Sequence, residues 1–477
     1  MMLRSWDEGV WKWMLFLYNS GTDLNDTIAN EGRPLLLTRP VITVGIVDAL
    51  VGCADSVPLG NRLILVPDVV SLIVRLWVED LEIPGRPNMV HNELTFVMYH
   101  IVNDSQNDST FSTLVGAVNG AETVMRSATN RFRRLVSSTN SKEMESQLAF
   151  IDLLAENPML RDAMHEVDAL SVTLTAIDAL TKQSNQIDAC RALESCIDIM
   201  LLKHLLSGPN VKPLIHSINK GLLRTLYDAR VAFGSNEECC EVLAEVIILV
   251  IGPSLIFRSV LHAVERAELK TGVFAAYRSA EHEFHEWETL TEVYQDMIQF
   301  KHEVDEELVH CGFLNCPTSD VRVKFHRCGR CQYKKYCSKE CQQQDWPKHK
   351  RQCHKESANE ITPVSDREFA RDRAEFEVRM NIRSLFERVQ KNPALQTTQD
   401  LMFQVDFTTL DRNISIGVAP FAPSPHEERR AAIYAKVQSG REAIQSLGLV
   451  TGWKELQRSS QPENILFPDK FRKLIIE

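Results

Sequence analysis

Seven of the chain's twelve cysteines fall between Cys311 and Cys353, and with His349 they form four pairs: Cys311 and Cys316, Cys328 and Cys331, Cys337 and Cys341, His349 and Cys353. No other feature of the 477 residues constrains folding so tightly. Between Cys328 and Cys331, Gly329 and Arg330 make a knuckle that lets both thiolates reach one ion. Cys337 and Cys341 are four apart, as are His349 and Cys353, so each pair shares one face of a helix. The stretches "SKECQQQDW" and "PKHKRQC" read as two short helices, the second opened by Pro347. Eight such ligands make two tetrahedral sites of four, the closed coordination of structural zinc, with no position open for a catalytic water. His310, His326 and His354 stand beside the eight as alternative ligands.

A CxxC pair can also be a redox motif, but no strand and helix precede Cys328, and the neighbouring ligands would hold it as thiolate on zinc. The opening segment "MMLRSWDEGVWKWMLFLYNSG" places Asp7, Glu8 and Lys12 where a secretory leader needs an unbroken apolar run. The expectation is an intracellular chain, with nucleus and cytoplasm both open, whose cysteines are thiols and metal ligands rather than disulfides. Cys53, Cys190, Cys196, Cys239 and Cys240 lie among apolar stretches and read as buried thiols. The longest uncharged apolar run, Val246 to Phe257, is broken by Gly252 and Pro253 and too short to span a bilayer. It reads as a buried helix, and no membrane partner is expected.

With 44% hydrophobic and 25% charged residues the rest of the chain has the composition of a globular protein. The fold class expected is mainly α. An all-helical domain is expected over residues 1–308, where from about residue 40 apolar residues recur at three- and four-residue steps, as in "PDVVSLIVRLWVEDL" and "MESQLAFIDLLAE", separated by short polar breaks. Helix pairs recurring every 40 to 50 residues suit a HEAT- or armadillo-like stack, with a plain helical bundle as the alternative. Residues 277–308 read as one long, charged, solvated helix leading into the cysteine cluster at 309–355. A linker is expected over 356–369, then a small α+β region over 370–477. There "LMFQVDFTTL" and "RNISIGVAPF" suit two strands, followed by a helix with Ser424 as N-cap, Pro425 at its first position, Glu427 completing a capping box and Gly448 at its end.

The run "FHRCGRCQYKKYCSKECQQQDWPKHKRQC", residues 325–353, resembles the MYND zinc finger. It includes Tyr336 before the fifth ligand and the Cys-Gln-x-x-Asp-Trp pattern from Cys341 to Trp346. The first pair is wider than in many members, and the gap of eleven to Cys328 is within the family's range. The resemblance implies two structural Zn2+ in a cross-brace: Cys311, Cys316, Cys337 and Cys341 on one, Cys328, Cys331, His349 and Cys353 on the other. It also implies that the finger binds short proline-containing peptides, added as a strand to the edge of a small hairpin beside a helix. Gln342 and Trp346 match two of the family's peptide-contacting positions. Gly329 stands where some members have a serine, and Tyr333 to Tyr336 take the place of the hairpin edge.

These readings describe a non-enzymatic adaptor, with finger and helical scaffold both binding protein or peptide partners. One alternative is a regulator that contacts nucleic acid or chromatin through Arg327, Arg330, Lys334, Lys335, Lys339, Lys348, Lys350 and Arg351. The net charge of -11 weighs against it, and "KHKR" sits between ligands, where a nuclear signal would be masked. Another is a SET-type lysine methyltransferase. Residues 354–477 contain no Asn-His-Ser-Cys-type motif, and their one tyrosine is Tyr434. There is no P-loop, no dinucleotide-binding glycine run and no GxSxG, and "HEFH" at 282–285 lacks the four-residue step of a zincin.

Overall fold

The three- and four-residue apolar steps become helices throughout the first half of the chain. A computed structural model describes residues 39–54, 67–79, 89–105, 108–138, 141–183, 187–198, 211–280, 284–351 and 363–381, with short strands between 400 and 476 and a few isolated positions. The chain divides into two compact units, Met1–Met200 and Leu201–Glu477. The division runs through the helical region, and the cysteine cluster shares the second unit with helices on either side of it in sequence.

Among the described residues of the first unit the helices are α1 (Arg39–Ala54), α2 (Pro67–Glu79), α3 (Met89–Ser105), α4 (Asp108–Ala117), α5 (Ala121–Ser138), α6 (Ser141–Ala155), α7 (Pro158–Glu166), α8 (Ala169–Thr181) and α9 (Ile187–Ser195). They pack mostly on near neighbours in sequence: α2 on α3 and α4, α5 on α6, α7 and α8, α6 on α3 and α9. The core centres on Trp77, which is fully buried. Its indole N–H donates to Thr95 Oγ1 at 3.0 Å, Arg131 lies over the ring at 4.7 Å, and Phe150 meets it edge-on at 5.6 Å. Arg131 is itself buried, donating to Thr95 Oγ1 and to the Trp77 carbonyl. Local chemistry sets the ends of α7: Asn157 accepts from the N–H groups of Met159 and Leu160, and Pro158 occupies the first position, where no N–H is needed.

The second unit opens with α10 (Lys212–Asn219), α11 (Leu222–Ala232) and α12 (Glu237–Glu245). The apolar run after α12 is buried as expected, but Val246–Ile251 is wound as a π-helix. Pro253 lacks the N–H that would bond to the Leu249 carbonyl, and its ring crowds that carbonyl, so the turn widens. Helices α13 (Arg258–Thr271), α14 (Val273–Ser279) and α15 (His285–Glu306) follow.

The stretch expected as one solvated helix over 277–308 is corrected here. Helix α14 ends at Ser279, and α15 buries Trp287, Leu290, Met297, Phe300 and Val304. Four of its charges are paired, Glu286 with Arg230, Asp305 with Arg258, Lys301 with Glu265 and Asp296 with Arg373, while Glu288, Glu303 and Glu306 stay exposed. Those partners lie far away in sequence, so sequence reading could not supply them.

After the cysteine cluster a helix forms at Val364–Met380, opening inside the stretch read as linker. The two strands expected next are present: Asp400–Asp406 pairs antiparallel with Ser415–Pro420, Phe403 opposite Val418. Gly448 does not end a helix. It lies in a third strand, Ser446–Gly452, paired antiparallel with the first, Gln404 opposite Gly448. Apolar Leu447, Leu449 and Val450 suit a strand, and pairing against the "LMFQVD" strand settles it. Ala432–Ile433 pairs parallel with Ile475–Ile476. The expected cap at Ser424, Pro425 and Glu427 lies outside the described residues. No helix among the described residues is long and apolar enough to cross a membrane.

Candidate metal centre

Two short antiparallel ladders and one helix frame the eight ligands; only Cys341 and His349 lie on the helix, so the expected helical faces for Cys337 with Cys341 and for His349 with Cys353 are corrected, Cys337 preceding the helix and Cys353 following it. Strands β1 (Leu308–His310) and β2 (Ser319–Val321) pair ahead of and behind the first ligand pair, with Val309 opposite Asp320. Strands β3 (His326–Arg327) and β4 (Lys335–Tyr336) pair around the CxxC knuckle. The Cys328 N–H donates to the Lys334 carbonyl at 2.8 Å, and the Gln332 N–H to the Cys328 carbonyl at 2.9 Å, which closes the knuckle. The Gly312 N–H donates to the Lys335 carbonyl at 2.8 Å, tying the first ligand pair to β4. A Cβ on Gly312 would stand 2.8 Å from that carbonyl, so only glycine fits.

Helix α16, Lys339–His349, supplies Cys341 and His349. Ser338 caps it by accepting from the Cys341 N–H at 3.3 Å. The expected pair of helices is corrected to one. Pro347 sits inside α16 rather than opening a second helix, and the Lys350 N–H still donates to the Trp346 carbonyl at 2.8 Å. Pro347 forgoes the N–H that would reach the Gln343 carbonyl, and the helix ends two residues beyond it.

Cys311, Cys316, Cys337 and Cys341 form one cluster, and Cys328, Cys331, His349 and Cys353 the other, with donor atoms in each within 4.8 Å of one another. Thiolates about 2.3 Å from a tetrahedral zinc stand about 3.8 Å apart, and a thiolate and an imidazole nitrogen about 3.5 Å apart. Cys316 to Cys337 is 3.6 Å, Cys337 to Cys341 3.5 Å, Cys328 to Cys353 3.8 Å, and Cys331 Sγ to His349 Nε2 3.4 Å. The spacing fits a tetrahedral ion at each cluster. Neither His310 nor His326 belongs to either group of donors, and His354 lies outside the described residues.

The protonation pattern agrees. The Thr318 hydroxyl, 3.2 Å away, helps pull Cys316 down to about 6. The adjacent Cys337 pushes Cys341 up to about 12, and burial followed by the Cys328 and Cys331 thiols does the same to Cys353. Crowded thiols oppose one another's ionisation, and a divalent cation is what lets all of them ionise together. Burial, assisted by the Lys334 cation, lowers His349 and keeps its imidazole in the neutral form that a metal requires.

The core beneath the ligands is small: Phe325, Tyr336 and the buried cysteines, with Val309, Phe313 and Trp346 packed against it. Tyr336 lies in the hairpin strand β4, as expected, but turns its side chain into the core. It is fully buried, and its hydroxyl donates to Asp345 Oδ2 at 2.7 Å. The same oxygen accepts from Lys334 Nζ at 2.6 Å. Asp345, 2% exposed, thus ties β4 to α16, a role its position within "CQQQDW" did not announce. Tyr333 stays exposed, with Arg367 over its ring at 5.7 Å. Gln342 and Trp346 are half-buried on α16, and the Trp346 ring meets His349 edge-on at 5.9 Å.

Helix α17, Val364–Met380, docks on the basic side of this module. Glu368 pairs with Arg327 at 2.8 Å and Lys335 at 3.1 Å. Asp372 pairs with Arg322, which also holds Glu307. On its other side α17 sends Phe369 and Phe376 against Phe300 of α15, centroids 5.4 Å apart in each case. Asp366 accepts from the Ser259 N–H at 2.8 Å and its hydroxyl at 2.5 Å, capping α13 from 107 residues away. Among the five remaining cysteines, Cys196 and Cys239 are buried, and Cys190 and Cys240 are partly so.

Two four-ligand sites interleaved along the chain, first pair with third and second with fourth, define a cross-braced double-zinc finger. The family model of the MYND finger matches residues 310–353, and this segment of the chain is a MYND finger. No solved structure matches the chain.

Proposed function

We propose that the chain is a non-enzymatic adaptor whose finger binds short proline-containing peptides at Gln342 and Trp346, with the helical scaffold offering a second interaction surface. MYND fingers are protein-interaction modules, and this one keeps the parts such a role needs. The observation that carries the reading is the position of Gln342 and Trp346. They sit side by side on α16, half-buried over a metal-held core rather than sealed within it. An indole held on one face and open on the other is a rigid contact for a proline ring. Four protein ligands at each zinc leave no place for a reacting water, which supports a structural metal rather than a catalytic one. A chain that depends on seven unoxidised ligand thiols fits the reducing interior of a cell.

The nucleic-acid reading draws less support. Arg322, Arg327, Lys334 and Lys335 are engaged by the chain's own carboxylates, which removes about half of the field a phosphate backbone would need. A peptide array probed with the zinc-loaded chain and with Trp346→Ala tests the proposal. Binding should fall at least tenfold while two zincs per chain are retained. Unchanged binding would leave Trp346 a packing residue and move the contact elsewhere.

A further inference from the structure

Ten lysines and arginines lie between Arg322 and Arg351, and the structure sorts them into two sets. Arg322, Lys324, Arg327, Lys334 and Lys335 are paired with Glu307, Asp320, Asp345, Glu368 and Asp372. Arg330, Lys339, Lys348, Lys350 and Arg351 are exposed and form no ion pair among the described residues. The exposed acid on α16 is Glu340, set in the helix's first turn beside Lys339. Among the described residues, five exposed cations against one carboxylate are a local excess of positive charge in a chain of net charge -11.

Two of the exposed cations share one line with the candidate contacts. Lys339, Gln342, Trp346 and Lys350 stand at i, i+3, i+7 and i+11, one stripe along α16 and its cap. The two half-buried candidate contacts are therefore bracketed by a lysine at each end. At 1.5 Å per residue the two lysine Cα atoms lie about 16 Å apart, the span of about five residues of extended peptide. Helix α17 shows what the finger accepts on its other basic side: Glu368 and Asp372, one turn apart, reach across to Arg327, Lys335 and Arg322.

We infer that the finger's partner is an acidic peptide segment lying along α16, with a carboxylate at each end about five residues apart, one for Lys339 and one for Lys350. This rests on the peptide-binding reading above. Exposed charges add modest affinity and strong selectivity against like charge. With half of the module's cations already neutralised by carboxylates, an acidic polypeptide is favoured over a nucleic acid.

The test uses the zinc-loaded full chain on an array of octapeptides with a central proline. Glutamate, glutamine or lysine is placed at both ends of a five-residue step. At about 0.1 M salt the glutamate set should bind roughly tenfold tighter than the glutamine set and the lysine set weakest, the advantage shrinking at about 0.5 M salt. Lys339→Glu with Lys350→Glu should abolish the preference while keeping two zincs and binding to the glutamine set. Lys142→Glu with Lys182→Glu, an equal charge change on the first unit, should leave the preference intact. Equal binding of the glutamate and glutamine sets overturns the charge inference and leaves the peptide reading standing. Binding to no set overturns both. Loss of binding to a DNA or RNA hairpin in the Lys339→Glu, Lys350→Glu variant, with peptide preference unchanged, makes the surface a nucleic-acid site and overturns the inference.

Discussion

Trp77 in the first unit and Tyr336 in the finger are both fully buried aromatics at the centre of a core, yet their surroundings differ in kind. Trp77 sits among apolar helix faces with the buried Arg131 over its ring, and its indole N–H is satisfied by Thr95. Tyr336 sits among cysteines, a histidine and the carboxylate of Asp345. The first centre is held by area removed from water, and no single contact is indispensable. The second is too small to hold itself by area; its ligands supply the folding energy, and ion pairs fasten it to its neighbours. Regions built in these two ways should fail under different insults.

The largest separation should come from removing metal. Structural zinc contributes on the order of 10 kcal/mol or more to a finger of this size. A strong chelator should therefore abolish amide-exchange protection over 310–353 while α2, α3, α5 and α6 keep theirs. Comparable loss in both regions would break the contrast. The reverse experiment is Trp77→Ala, which should destabilise the first unit by about 3 to 5 kcal/mol in denaturant unfolding with two zincs per chain unchanged.

Asp372→Asn addresses the fastening between finger and α17. It removes the Asp372 carboxylate from two largely buried guanidinium groups, leaving Arg322 with Glu307 alone and weakening the hold on Arg371, and should cost about 3 kcal/mol. Exchange protection of α17 should report it, with zinc content retained. The smallest effect belongs to Tyr336→Phe, which keeps the ring and removes the hydroxyl from Asp345. A loss of about 2 kcal/mol is expected, read as weaker zinc retention against a competing chelator. No change would mean that Lys334 alone suffices for Asp345.

How far the sequence could be read depended on whether a feature's partners were near it in the chain. Helices α2, α3, α5 and α6 were legible because their burial follows a repeat of their own residues, and the strands at 400–406 and 415–420 were legible from alternation. Helix α15 was misread because its charges answer to Arg230, Arg258, Glu265 and Arg373, invisible in a local window. Pro347 was misread because a proline in a last turn and a proline at a first position look alike without the fold. Gly448 was misread because Gln404, its partner across the sheet, overrode a plausible helix end.

The ligands themselves were fixed by the sequence: thiolates and imidazole at those steps have one common use in a reducing compartment, and spacing alone shows that they come in pairs. Tertiary structure decided what surrounds them. It placed Tyr336 inside against Asp345, closed half of the basic residues under carboxylates of α17 and neighbouring segments, and left Lys339 and Lys350 exposed on either side of Gln342 and Trp346. Charge is a property of single residues, but whether it is spent depends on what lies within about 4 Å, and only the folded chain determines that.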